Sequence, residues 1–222
     1  MRILIFFISL SCISFSQDEF DFDDSFDIED IKTFNSTRII SGHSVETLPE
    51  KTFEMRIEHR FGDIAGEMGG YQTLFGFDNV ADMRIALEYG ISDKLMIGFG
   101  RSKGTSAPYS SLLDGFVKYR VMTQKEGESP ISISVGAGST FTYREASTDM
   151  SNVAYFPKVS HRFCYYTQLN VAYRFRDIVS FSLMPTLVHR NYVAQNDLNE
   201  LFSLGAAMRL KLSKKFFLLM EY

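Results

Sequence analysis

From residue 52 to its end the chain alternates apolar and polar side chains with period two, and no stretch of similar length repeats every 3.6 residues. Successive side chains of a β-strand point to opposite faces. Such a pattern therefore specifies strands that stand between two different solvents. Residues 52–61 set Phe53, Met55, Ile57 and Phe61 on one face and Thr52, Glu54, Arg56, Glu58 and Arg60 on the other, with His59 breaking the order. Residues 131–142 set Ile131, Ile133, Val135, Ala137 and Phe141 against Ser132, Ser134, Gly136, Gly138, Thr140 and Thr142. This second face is small and hydroxylated, which suits the inside of a closed barrel better than a surface in bulk water. Seven further segments follow the pattern: 83–90, 95–101, 112–122, 161–175, 178–190, 200–212 and 216–222. Pro185, inside one of them, predicts a bulge or local break.

The connections alternate between short (91–93, 123–130, 176–177, 213–214) and long (62–82, 102–111, 144–160, 191–199). Transmembrane barrels of the bacterial outer membrane have this asymmetry, with tight periplasmic turns and longer outer loops. One strand gives a check of scale. Phe163 and Tyr165 stand at one end of its apolar face and Tyr173 and Phe175 at the other, with Leu169 and Val171 between. The ten steps from Tyr165 to Phe175, at about 3.3 Å per residue and about 40° tilt, cover roughly 25 Å, the height of an apolar barrel belt. The expected fold is all-β, an antiparallel up-and-down transmembrane β-barrel. A soluble β-sandwich would alternate in the same way and stays open as a reading.

The N-terminus has another character. Met1 and Arg2 precede an apolar stretch over residues 3–15, and Ser14-Phe15-Ser16 has the small-x-small form that signal peptidase reads, so residues 1–16 are expected to be a signal peptide. That stretch is short of the roughly 20 residues of a spanning helix. Without the leader, Cys164 is the single thiol, which excludes an intrachain disulfide. Residues 17–50 form an acidic leader and a segment running into the barrel. Its acidic part carries Asp18, Glu19, Asp21, Asp23, Asp24, Asp27, Glu29 and Asp30 among Phe20, Phe22, Phe26 and Ile28. It is a solvated tail or, alternatively, a plug for a basic mouth. The barrel proper spans 51–222. Nine strands are visible where single-chain barrels usually have an even number, so ten or more are expected in a full-length protein and this sequence is expected to be C-terminally truncated.

The motifs Gly42-His43-Ser44-Val45-Glu46 and Glu58-His59-Arg60-Phe61-Gly62, with the stretches 75–104 and 114–120, resemble a family of Bacteroidota membrane β-barrel proteins of unknown function. The resemblance runs from about Phe34 to the end. It implies an outer-membrane location and a chain that ordinarily continues further, and it carries no catalytic residues. The acidic block is not part of it.

The charged faces supply the candidate functional residues. Glu54, Arg56, Glu58, Arg60, Arg84, Glu88, Lys118, Arg120, Arg162 and Arg174 are expected to form a cluster in the lumen, joined by Asp82, Asp114, Arg190, Arg209 and Lys211. An Arg at mid-depth in lipid costs about 2–4 kcal/mol, so these side chains belong inside. They either pair with one another and fill a narrow barrel or line a pore that prefers small anionic solutes. The formal net charge of -4 argues against general nucleic-acid binding. His43, His59, His161 and His189 are the histidines, and none has a nucleophile or metal partner at catalytic or ligand spacing. His43 and Ser44 are adjacent and would point apart on a strand. Gly98, Gly100 and Gly104 mimic a dinucleotide loop, but the third is one residue late and no helix follows. The expectation is a non-enzymatic outer-membrane protein without cofactor, in contact with outer-membrane lipid, acting as a narrow anion-preferring pore or a structural envelope component. A lipid-modifying enzyme and a secreted binding module are the alternatives, and the sequence fixes no oligomeric state.

Overall fold

Alternation becomes a single antiparallel sheet in the computed structural model, which describes residues 31–67, 69–78, 80–104, 110–152, 154–193 and 197–222. The strands are β1 (Phe53–Phe61), β2 (Val80–Ser92), β3 (Leu95–Lys103), β4 (Ser111–Met122), β5 (Ser132–Thr142), β6 (Phe163–Phe175), β7 (Val179–Arg190), β8 (Glu200–Lys211) and β9 (Phe217–Glu221). Each pairs with the next in sequence and the order is β1 to β9 without a crossover. The up-and-down arrangement follows, and strand limits fall within one to three residues of the alternation. The signal peptide and the acidic block of residues 18–30 lie outside the described residues.

The two faces separate as the period requires. Outward, Phe53, Met55 and Ile57 are 62%, 60% and 63% exposed, and Leu87, Phe99, Tyr119, Phe181, Leu183, Leu187 and Leu204 continue the belt. Inward, Ala86, Glu88, Met96, Lys118, Ser132, Ser134, Asn170, Ser180 and Arg209 are buried. An apolar outside over a polar interior inverts the solvent order of a soluble sandwich and matches that of a transmembrane barrel. Among the described residues, no second sheet covers the inner faces. Aromatic side chains stand near both ends of β6, with Tyr165 at one and Tyr173 and Phe175 at the other, all exposed.

Two irregularities have local causes. The ladder between β6 and β7 lacks pairs from Leu169 to Asn170 opposite Met184 and Pro185, then resumes in the same register, so Pro185 interrupts the ladder without inserting a bulge. The residues before β6 leave the ladder early: Val159–Arg162 form a 3-10 turn. Arg162, expected in the lumen, therefore sits on that turn with its guanidinium over the Phe156 ring, 5.7 Å from the centroid. His161, expected on an outward strand face, lies on the same turn and stacks on Tyr192 at 4.9 Å.

What fills the sheet is its own N-terminal segment. Residues 33–48 make a hairpin whose Phe34, Ile39, Val45 and Leu48 are buried along with Thr33, Thr37, His43, Ser44 and Glu46. Ile39 N–H donates to Gly42 O and Ser44 N–H to Thr37 O, both at 3.0 Å, closing the two limbs on each other. Both ends of the hairpin lie where the turns are short. Ile31 N–H reaches Gln124 O at 2.9 Å on one side, and Glu50 N–H reaches Asp93 Oδ1 at 2.9 Å on the other. Phe34, Ile39 and Val45 pack on Ala172, Met184 and Ala207 of β6, β7 and β8, while Leu48 packs on Met96 and Phe116 of β3 and β4. The sheet thus wraps round the hairpin. Gly90 of β2 allows this, since a Cβ there would overlap the Pro49 carbonyl oxygen.

The two-solvent arrangement predicts an asymmetry between faces. Leu183→Arg, on the outer belt, should lower the stability of protein refolded into lipid vesicles by about 2–4 kcal/mol in urea titrations. Met150→Arg, on an exposed loop, should change it by less than about 0.5 kcal/mol. Equal losses would contradict the assignment of faces.

Candidate functional site: the charged lumen and its hairpin

The strand charges gather on β1, β2 and β4, and the hairpin completes their pairing. Glu54, Arg56 and Glu58 alternate on β1, Arg84 and Glu88 on β2, and Asp114, Lys118 and Arg120 on β4, so that register brings Glu58 opposite Arg84 and Glu54 opposite Glu88. Arg84 grips Asp114 through Nε at 3.0 Å and Nη2 at 2.6 Å, and also reaches Glu58 at 3.2 Å. The guanidinium fork is suited to this two-point contact. Arg56 pairs with Glu54 and donates to Thr37 Oγ1 of the hairpin at 2.8 Å.

Glu88 and Lys118 are the deepest charges, each 0% exposed. Glu88 accepts from Thr37 Oγ1 at 3.3 Å and lies 3.7 Å from Arg38, 3.8 Å from Arg56 and 4.0 Å from Arg84. Lys118 Nζ donates to Thr37 O at 2.9 Å and to Ser44 O at 3.2 Å. Those two residues face each other across the hairpin, so one ammonium holds both limbs. On the neighbouring β5, Gly136 stands opposite Lys118 and leaves room beside its stem.

Three more contacts locate the hairpin along the axis. At its foot Glu46 accepts from Thr33 N–H at 2.8 Å and Phe34 N–H at 3.2 Å, and lies 3.4 Å from Arg120. At its tip the Glu221 carboxylate of β9 accepts from the backbone N–H groups of Ile40, Ser41 and Gly42 at 3.0–3.2 Å. Arg60 of β1 donates to Ser41 Oγ at 3.1 Å. The first and last strands, unpaired with each other among the described residues, thus meet the same residue of the hairpin.

Of the ten residues expected in a lumen cluster, Glu54, Arg56, Glu58, Arg84, Glu88, Lys118 and Arg120 come together around the hairpin. Arg174 lies near the short turns, pairing with Asp177 and donating to Lys32 O at 2.6 Å. Arg60 is exposed at the level of the tip, and Arg162 is outside the cluster. Sequence reasoning missed Arg38, Glu46 and Glu221. Arg38 and Glu46 lie in a segment without alternation, and Glu221 looks like one more strand-end charge.

Among the described residues, His43 and Ser44 form no nucleophile–base pair. His43 Nε2 lies 3.3 Å from Tyr166 Oη, and its ring packs on Phe116 at 4.5 Å. Ser44 Oγ donates instead to Ser36 O at 2.5 Å. Among the described residues, no group of three His, Cys, Asp or Glu side chains could hold a metal ion.

A family model described as a membrane bound beta barrel domain (DUF5777) matches residues 34–222. The match begins within the hairpin's first limb and covers every strand. The chain belongs to this family of membrane-bound β-barrel domains. No curated protein matches the chain at a significant level.

The Lys118 clamp gives a testable expectation. Lys118→Met removes the cation, its bond to Thr37 O (which keeps the Ser44 N–H) and its bond to Ser44 O, and leaves the buried Glu88 short of a nearby positive charge, which should lower stability by about 3 kcal/mol in urea titrations of the refolded barrel. Protease should then cleave within residues 33–48 faster than in the unaltered protein. A variant as stable and as resistant as the parent would show that the hairpin does not depend on this contact.

Proposed function

We propose that this protein is a β-barrel of the bacterial outer membrane, a structural component of the envelope whose lumen is occluded by its own N-terminal hairpin, and not a standing-open pore. The single observation that carries this reading is the hairpin of residues 33–48, most of whose side chains are buried inside the sheet, with Lys118 bound to both limbs and Glu88 to the first. The outer-membrane location is favoured by transmembrane strands with short turns at one end and long loops at the other, together with the signal-like residues 1–16. The apolar belt makes lipid the constant partner of the outer face.

The basic lumen favours small anions as the solutes that would pass if the hairpin left. Most of its cations are matched in place, by Glu54, Glu58, Glu88, Asp114 and Glu46, so selectivity belongs to the emptied barrel. We assign the chain no catalytic role, because Ser44 and His43 are each bound to other groups and point to different partners.

Planar-bilayer recording tests this. The unaltered protein should insert with little steady conductance, and a variant lacking residues 33–48, shown to fold by its heat-dependent gel shift, should conduct with preference for anions. Deleting only residues 18–30 should change little, because those residues precede the hairpin. Equal, large conductance in the unaltered protein and the hairpin deletion would contradict the occlusion.

A further inference from the structure

The hairpin's foot rests on a part of the wall whose charges are not balanced. On the inner face near the short turns, register places Arg174 of β6 opposite Ser180 of β7, and Ser180 opposite Arg209 of β8. Ser182 is the next inward residue on β7. Arg209 is 3% exposed, Ser180 0% and Ser182 2%. Arg209 Nη1 donates to Asn35 Oδ1 of the hairpin at 2.5 Å, and the guanidinium lies over the Phe217 ring, 5.0 Å from its centroid. Its Nε and Nη2 reach no acceptor among the described residues, and Ser180 Oγ, Ser182 Oγ and Arg174 Nε are likewise without a partner.

The nearest acidic groups are already in use. Asp177 pairs with both Arg174 and Lys211, and Glu46 is taken by Arg120 and two backbone N–H groups. Arg174 and Lys211 therefore share one carboxylate, and Arg209 forms no ion pair among the described residues. A guanidinium removed from water without a counter-charge is strongly unfavourable, and each buried donor left unmade adds to the penalty. Water would satisfy the donors and leave the charge unmatched. An anion answers both requirements.

We propose that this corner binds one small inorganic anion of the size of chloride, held by Arg209 Nε and Nη2 and by the hydroxyls of Ser180 and Ser182. The remaining arm of Arg209 is fixed by Asn35, so the anion ties the hairpin's foot to the β7–β8 wall. The site lies on the wall beside the hairpin and makes no demand on whether the barrel conducts.

Chloride-35 line broadening of the full chain refolded in detergent, titrated with sodium chloride and then with sodium bromide as competitor, tests the proposal. The unaltered protein should give saturable broadening that bromide displaces and gluconate does not. Arg209→Met should abolish it, while a Ser180→Ala/Ser182→Ala double variant, which keeps the charge, should weaken binding roughly tenfold. Absence of saturable broadening in the unaltered protein would overturn the site and leave water as its occupant. Should Arg209→Met not fold, an unaltered titration in the double-serine variant would overturn it equally.

Discussion

A charge excluded from lipid must still find a partner, and a narrow lumen offers little water to serve as one. That constraint organises this protein. Outward positions take Phe, Leu, Ile and Met because an arginine there is costly, so the strand charges are driven inward. Once there, ions such as Glu88 and Lys118 are fully buried and tolerable only when paired and hydrogen-bonded. The wall cannot meet the need alone. Lys118 finds its acceptors in the carbonyls of Thr37 and Ser44, and Glu88 finds Thr37 and Arg38. The hairpin is therefore the missing half of the lumen's electrostatics as well as its packing.

The same hairpin explains features of the wall that otherwise have no purpose. Ser132, Ser134, Gly136 and Gly138 make β5 low, and Thr33, Lys118 and Tyr166 occupy the space they leave. Met184 and Ala207 face Ile39 and Val45, and Met96 and Phe116 face Leu48, as apolar patches of the interior. Glu221 and Arg60 come from the two ends of the sheet to one turn of four residues. Grip is strongest at the tip and middle, where carboxylate and ammonium meet backbone groups. The foot depends on Glu46 and on the corner around Arg209.

The strands were legible because alternation records a partition between two solvents, residue by residue. That is why nine strands and their faces follow from period two, and why boundaries slip only where an element changes type, as at His161 and Arg162. The long-and-short order of connections likewise fixed the up-and-down path. The hairpin was not legible in this way. Residues 33–48 mix Ile39, Ile40 and Val45 with Arg38, Ser41 and Glu46 in no period, since their surroundings are a curved wall on all sides and not two planes. A signal did exist in the small hydroxylated face of residues 131–142, which called for something to fill the room it leaves. The Gly42 to Glu46 motif, noticed as a family likeness, turns out to form the turn and returning limb of that filler.

Amide hydrogen exchange of the barrel refolded in lipid, followed at residues 33–48, tests most directly whether the hairpin lives inside the sheet. Ile39 and Ser44, whose N–H groups bond across the hairpin, and Ile40, Ser41 and Gly42, whose N–H groups bond to Glu221, should exchange as slowly as amides of β4 and β6. Exchange at the rate of an unstructured peptide at these five positions, with the strands still protected, would contradict the account.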